Sequence, residues 1–140
     1  MKYDVVVVGG GPAGLAAASA ARKAGAARVL VLERNSYAGG ILKQCIHDGF
    51  GLIRYQQMLT GPEYAARAVR EAVDWGVALK TDAMVLSIGA DRSVCAVSRD
   101  GLHTYEAGAI VLATGCRERT RGAVMIPGSR PAGGFTAGVV

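Results

Sequence analysis

The chain is poor in cysteine, in aromatic residues and in long apolar runs, and each shortage removes a class of protein. Its three cysteines, Cys45, Cys95 and Cys116, form no Cys-x-x-Cys pair. An odd count argues against a disulfide framework and for a reducing compartment. Aromatic residues make up 6% of the chain, so no platform for stacking bases is visible, and no basic helix or RNA-binding signature stands in for one. Hydrophobic residues reach 51%, yet no stretch approaches the ~18 uninterrupted apolar residues a spanning helix needs. The run Val5 to Val8 is too short for a signal-peptide core and no cleavage site follows it, which leaves a cytoplasmic protein as the expectation. Cys45 and His47 stand close together, but no further ligands cluster beside them, so no metal site is expected. The net charge is +5, from 16 basic and 11 acidic residues. The basic residues are scattered, which suits a solvated surface with some side chains facing a cofactor's phosphates, and no nucleic-acid partner is expected.

What is present is an ordered series of short elements. Tyr3 to Val8 reads as a buried β-branched strand. Gly11 to Ala24 reads as a helix with Pro12 in its first turn and Gly25 past its end. Its interior is Ala16, Ala17, Ala18, Ser19, Ala20 and Ala21, small enough to lie close on a sheet. Arg28 to Glu33 reads as a second strand, completing a βαβ unit of about 30 residues. Asn35 to Gly61 is mostly irregular, and a long irregular stretch in a compact domain is usually functional. Thr60-Gly-Pro-Glu63 is a capping box that starts a helix running to about Trp75, a residue expected in the core. Val77 to Lys80 reads as a third strand. Met84–Ile88, Val94–Ser98 and His103–Glu106 form a small antiparallel meander, and Ala109 to Ala113 is a further buried strand. Cys95 alternates with Val94 and Ala96 and reads as packing.

The chemistry lies in Gly9-x-Gly11-x-x-Gly14, with Pro12 and Ala13 between the last two glycines. The pattern alone is weak, but here a strand precedes it, a helix follows it, and Glu33 closes the second strand 19 residues after Gly14. A dinucleotide-binding unit places its ribose-binding acid about 20 residues on. The first glycine permits a tight turn, the second lets the backbone approach a pyrophosphate, and the third lets helix and strand pack closely. The helix N-terminus offers free N–H groups to the phosphates. Glu33 can accept from both ribose hydroxyls and would repel a 2′-phosphate. These features do not separate FAD from NAD, since both carry adenosine diphosphate.

A resemblance separates them. Val7-Val-Gly-Gly-Gly-Pro-Ala-Gly-Leu15, Leu32-Glu33-Arg34 with Gly39-Gly40, and Ile110-Val-Leu-Ala113-Thr114-Gly115 resemble the FAD motifs of the two-dinucleotide-binding-domain flavoproteins, the class of thioredoxin and glutathione reductases. Gly39 to Gly51, Leu59 to Tyr64, Gly115 to Gly122 and Ile126 to Pro131 resemble more closely the NAD(P)/FAD-dependent oxidoreductases that accompany bacterial anaerobic-type glycerol-3-phosphate dehydrogenases. The resemblance implies an α/β fold, a Rossmann-like doubly wound parallel sheet with a small antiparallel β-meander crossover. It implies FAD as cofactor, NAD(P)H as co-substrate, a partner dehydrogenase subunit, and a backbone contact from Ala83 to adenine. Residues 1–116 are then an incomplete FAD-binding domain, and 117–140 a linker toward a separate NAD(P)H-binding domain. Gly134 to Gly138 suits that linker better than the class's third FAD motif, which ends Gly-Asp. The piece is therefore expected to fold but to hold FAD poorly and to oxidise no NAD(P)H alone.

Disulfide reductases of the wider class carry a cysteine pair just after the Gly-Gly. Only Cys45 is present there, so a dithiol mechanism is not supported. Cys45 and His47 are the candidates for chemistry beside a flavin, as an adduct-forming thiol and an acid or base; the alternative is that both only line the pocket. Arg117, Arg119 and Arg121 either screen cofactor phosphates or form a solvated loop, and both readings stay open. The implied function is an FAD-dependent oxidoreductase passing electrons between NAD(P)H and a second acceptor. Its rivals are a flavin-dependent nucleic-acid-modifying enzyme and a flavin-binding relay subunit.

Overall fold

In the computed structural model, residues 1–116, 119–129 and 132 are described. Strand β1 (Lys2–Val8) pairs in parallel with β2 (Val29–Leu32), Val5 opposite Val29 and Val8 opposite Leu32. Between them runs α1 (Pro12–Lys23), whose buried residues Gly14, Leu15, Ala18 and Ser19 recur at helical spacing. β2 is buried at all four positions, so it has a core on each face. Val29 and Val31 meet α1 and the helix that carries Ala68 and Ala72 on one side, with Val7, Leu15 and Ala18. Leu30 and Leu32 meet the meander on the other, with Val6, Val94, Ala96 and Tyr105. Burial of one such Val or Leu side chain is worth about 1.5–3 kcal/mol.

The connection after β2 holds a 3₁₀ turn at Gly40–Gln44 and a one-turn helix, α2 (Leu52–Tyr55). Helix α3 (Gly61–Asp74) follows. Its capping box is complete: the Thr60 hydroxyl accepts from the Glu63 N–H, and the Glu63 carboxylate accepts from the Thr60 N–H at 2.8 Å. Ala65, Ala68 and Ala72 form its buried stripe. Trp75 lies outside the core, 44% exposed, because the helix ends there and the indole falls on its outer side, beside the Lys23 ammonium.

Strands β3 (Ala78–Lys80), β4 (Met84–Ile88), β5 (Ser93–Ser98) and β6 (Gly101–Leu112) complete one six-stranded sheet in the order β3-β2-β1-β6-β5-β4. β1, β2, β3 and the end of β6 are mutually parallel, while β4, β5 and the start of β6 are antiparallel. This is the expected Rossmann-like α/β sheet with its meander crossover. One expectation is corrected. His103–Glu106 and Ala109–Ala113 are not separate strands but parts of one, β6, which pairs with β5 through Glu106 and with β1 from Glu106 onward. The second part is less buried than its sequence suggests: Leu112 is 65% exposed, because among the described residues no element covers its outward face.

Candidate functional site

β1, β2 and β6 end at one edge of the sheet. The chain leaves β1 toward β2 and β3 and returns through β6 on β1's other side, so a crevice opens where the strand order reverses, the usual ligand position in open α/β sheets. A cleft of about 260 Å³ lies there. Its walls are the ends of β1 (Val8, Gly9, Gly11), the end of β2 (Leu32 to Asn35), the start of β4 (Ala83 to Val85), Gly40, and Ala113-Thr114-Gly115.

The three fingerprint glycines are needed for three different reasons. Gly9 has φ +107°, and a Cβ on it would run into the Ala113 carbonyl, so β1 and β6 can approach only because it is glycine. A Cβ on Gly14 would collide with the Gly9 carbonyl and lie 3.2 Å from a Val7 methyl, which sets the closeness of α1 to β1. Gly11 differs: a Cβ there would meet nothing nearer than Gly40 Cα at 3.9 Å. Its missing side chain leaves an open cradle in front of the first turn of α1. That turn carries no acidic residue, so the N–H groups of Ala13 and Gly14 and the positive end of the helix are uncompensated by side-chain charge.

Glu33 is 5% exposed and does more than its place in the motif suggests. One carboxylate oxygen accepts from the Gly10 N–H at 2.8 Å and the other from the Asn35 N–H at 2.8 Å. The side chain thus ties the glycine turn to the end of β2. Each carboxylate oxygen has two lone pairs, so acceptor capacity remains for hydroxyls in the cleft. The Glu33 carbonyl also accepts from the Ala83 N–H at 2.9 Å, so Ala83 has only its carbonyl left to offer a ligand. Gly39 donates to the Gly10 carbonyl at 2.8 Å, which holds the Gly39-Gly40 turn against the fingerprint. The open cradle, the free helix turn and the buried carboxylate fit an adenosine diphosphate moiety.

Of the residues singled out in the sequence, Gly9, Gly11, Glu33, Arg34, Gly40, Ala83, Ala113, Thr114 and Gly115 line the cleft, while Pro12, Ala13, Gly14 and Gly39 are not among the lining residues. Cys45 and His47 are not among the lining residues. Cys45 packs on the start of α3: its carbonyl accepts from the Gly61 N–H at 2.9 Å, and its thiol donates to the Ile41 carbonyl at 3.5 Å. A Cβ on Gly61 would strike the Leu42 and Cys45 carbonyls. His47 is exposed, its ring against Phe50 at 5.1 Å. Among the described residues no group of three metal-ligating side chains forms. Arg119 is exposed and Arg121 half-buried; Arg117 and Gly134 to Gly138 lie outside the described residues. Val8, Leu32, Asn35, Met84 and Val85 also line the cleft, without having stood out in the sequence. Asn35 had a local signal, since it follows Glu33, the acid at the end of β2, by two positions. The others are apolar strand residues whose part in the cleft depends on the packing of the sheet.

A glycine turn between strand and helix, a buried acid at the second strand's end and a crevice at the strand-order reversal define a nucleotide-binding Rossmann-type unit. The chain belongs to the pyridine nucleotide-disulphide oxidoreductase family, whose sequence pattern matches residues 3–138. It is 34% identical over 147 aligned positions to a subunit of the opine oxidase of Agrobacterium tumefaciens (strain Ach5), covering 97% of this chain and 28% of that protein. It is 42% identical over 90 residues to the soluble pyridine nucleotide transhydrogenase of Marinomonas sp. (strain MWYL1), covering 64% of this chain and 16% of that protein. Thioredoxin reductase from Streptococcus pyogenes MGAS5005 superposes with a TM-score of 0.67 at 26% identity, over 85% of this chain and 37% of that one. The chain therefore spans less than a third of the length of these two curated relatives. Among the described residues no helix is long and apolar enough to cross a membrane.

Proposed function

We propose that this chain is the FAD-binding portion of a flavoprotein oxidoreductase that moves electrons between NAD(P)H and a second acceptor or partner subunit. The observation that carries the reading is Glu33, buried at the end of β2, bonded to the glycine turn and facing the same cleft as Gly11 and Thr114. In this reading the pyrophosphate lies over Gly11 and the first turn of α1. The ribose hydroxyls donate to Glu33, adenine meets the Ala83 carbonyl, and Arg34 closes the adenosine end. Gly40 and Ala113-Thr114-Gly115 leave room for the chain leading to the ring. When bound, the flavin supplies hydride acceptance and electron relay; these residues bind and orient it. The resemblance of residues 7–15 and 110–115 to FAD motifs favours FAD over NAD in this cleft. The long motifs from Gly39 to Gly51 and from Gly115 to Gly122 favour the subfamily that accompanies glycerol-3-phosphate dehydrogenases. A partner subunit is in keeping with the relative named as an oxidase subunit. Cys45 is assigned to support of the loop on α3, His47 to the exposed side of that loop beside Phe50, and residues 117–140 to a linker that follows the FAD-binding portion.

The test is direct. Purified full-length protein should be yellow, release FAD on acid treatment and oxidise NAD(P)H when an electron acceptor is supplied. Uptake of NAD in this cleft with no flavin under any loading condition would overturn the assignment.

A further inference from the structure

On the side of α3 away from the sheet runs a second, larger groove of about 930 Å³ that shares no residue with the dinucleotide cleft. Its centre is built around Tyr55. The Arg67 guanidinium lies 4.2 Å from the centre of that ring and the Arg54 guanidinium 5.4 Å from it, while Tyr64 packs against it at 5.2 Å. Arg67 is steadied further by a bond to the Gln57 side-chain carbonyl at 2.5 Å. Arg70 follows one turn along α3 and lines the same groove.

Four cations, Lys23, Arg54, Arg67 and Arg70, and three carboxylates, Glu63, Glu71 and Asp74, line the groove, which leaves one net positive charge. Glu71 is shared between Lys23 and Arg54, each at 2.8 Å. Glu63 is committed to the capping box, accepting from the Thr60 N–H and hydroxyl at 2.8 Å. Among the described residues neither Arg67 nor Arg70 has a carboxylate within salt-bridge distance. Two guanidiniums one turn apart thus face open solvent, and one is already held in place by an aromatic ring. A fixed arginine loses less conformational freedom on pairing than a mobile one. Half-exposed Trp75 lies at the far end of the groove, and arginine with tyrosine and tryptophan is the composition of binding hot spots.

We propose that this groove docks an acidic segment of a partner protein, its carboxylates on Arg67 and Arg70 and an apolar side chain against Trp75. The occupant is selected by the Arg67 and Arg70 guanidiniums, the lining cations that have no carboxylate at salt-bridge distance among the described residues. The groove follows the whole of α3, a length of about 20 Å, which suits a polypeptide segment and far exceeds a single small anion. The inference is independent of what occupies the dinucleotide cleft.

The test uses the full protein and a fluorescein-labelled helical peptide of Glu, Leu and Ala, about 14 residues long to match α3, with a second peptide carrying Gln for every Glu. Anisotropy should show the Glu peptide binding at least about tenfold more tightly than the Gln peptide, the scale of two exposed charge pairs. R67E/R70E, and R70E alone in case Arg67 also supports Tyr55, should weaken the Glu peptide while far-UV circular dichroism stays unchanged. Saturating ADP should leave peptide binding intact. Equal affinity for the two peptides, no effect of charge reversal in folded variants, or full displacement by inorganic phosphate at matched ionic strength would each overturn the proposal.

Discussion

At the scale of single residues, the fingerprint divides into positions that shape the protein and positions that leave space for a ligand. Gly9 belongs to the first kind. Its φ of +107° and the Ala113 carbonyl in the path of any Cβ mean that Gly9→Ala must push β1 and β6 apart. It should cost about 1–3 kcal/mol, the range for backbone strain of this type, and urea denaturation would measure it. Gly11 belongs to the second kind. Gly11→Ala should leave the melting temperature within a degree or two and act on ligand affinity alone, because its Cβ meets nothing within ordinary contact except Gly40. Glu33 belongs to both. Each carboxylate oxygen accepts a backbone N–H, so even Glu33→Gln must turn an amide NH2 toward one of those donors. The variant should lose about 1–3 kcal/mol of stability, the cost of a buried donor left unsatisfied, even without ligand. Glu33→Ala should lose more, and its dinucleotide affinity should fall by roughly 1.5–3 kcal/mol. Thermal melts read the first loss and calorimetric titration the second. A fully stable Glu33→Gln would show that Gly10 and Asn35 find other partners. The place of this acid at the cleft is legible from the spacing between Gly14 and Glu33. Its grip on Gly10 is not, because it depends on how far the turn folds back toward β2.

At the scale of elements, local signals are legible in the sequence and non-local ones are not. The βαβ unit and the capping box at Thr60 are set by residues within a few positions of one another, and both stand as expected. The strand β6 reads as two in the sequence because Glu106, Ala107 and Gly108 interrupt its apolar pattern. It is continuous because those residues sit where one pairing partner replaces another, a relation between distant strands that no local window contains. Cys45 and His47 stand out by chemistry and proximity, whereas their place is decided by the fit of the loop to α3.

The same loop is fastened at a second point. Glu71 on α3 binds Lys23 of α1 and Arg54 of α2, and bonds to these two cations hold its carboxyl at about 2, well below the usual carboxylate range. A carboxyl whose folded value is depressed contributes stability above its unfolded value near 4.5, and that stability is lost as pH falls through the folded value. Between pH 4.5 and 2 the protein should lose about 1 kcal/mol that a Glu71→Gln variant, already lacking it, does not lose; partial exposure keeps the figure small. Parallel pH profiles for the two proteins would indicate that the three helices are not joined through this residue.

At the scale of the whole molecule, β6 carries the consequence. Its first half closes the meander and its second half ends at Leu112, one residue before Ala113, which lies against Gly9. The two halves meet at Glu106, and two residues on, at Gly108, a Cβ would lie 2.8 Å from the Asp4 carbonyl. No loop separates the two regions, so neither can fray without drawing on the backbone bonds of the other. In native-state hydrogen exchange, the amides of Val94 and Ala96 in the meander should open with the same free energy as those of Val6 and Val7 beside the cleft. Gly108→Val should lower protection at both ends together, and loss confined to one end would mean that the strand bends freely at its midpoint. A ligand that slows exchange around Gly9 should slow it equally in β5, residues it never touches.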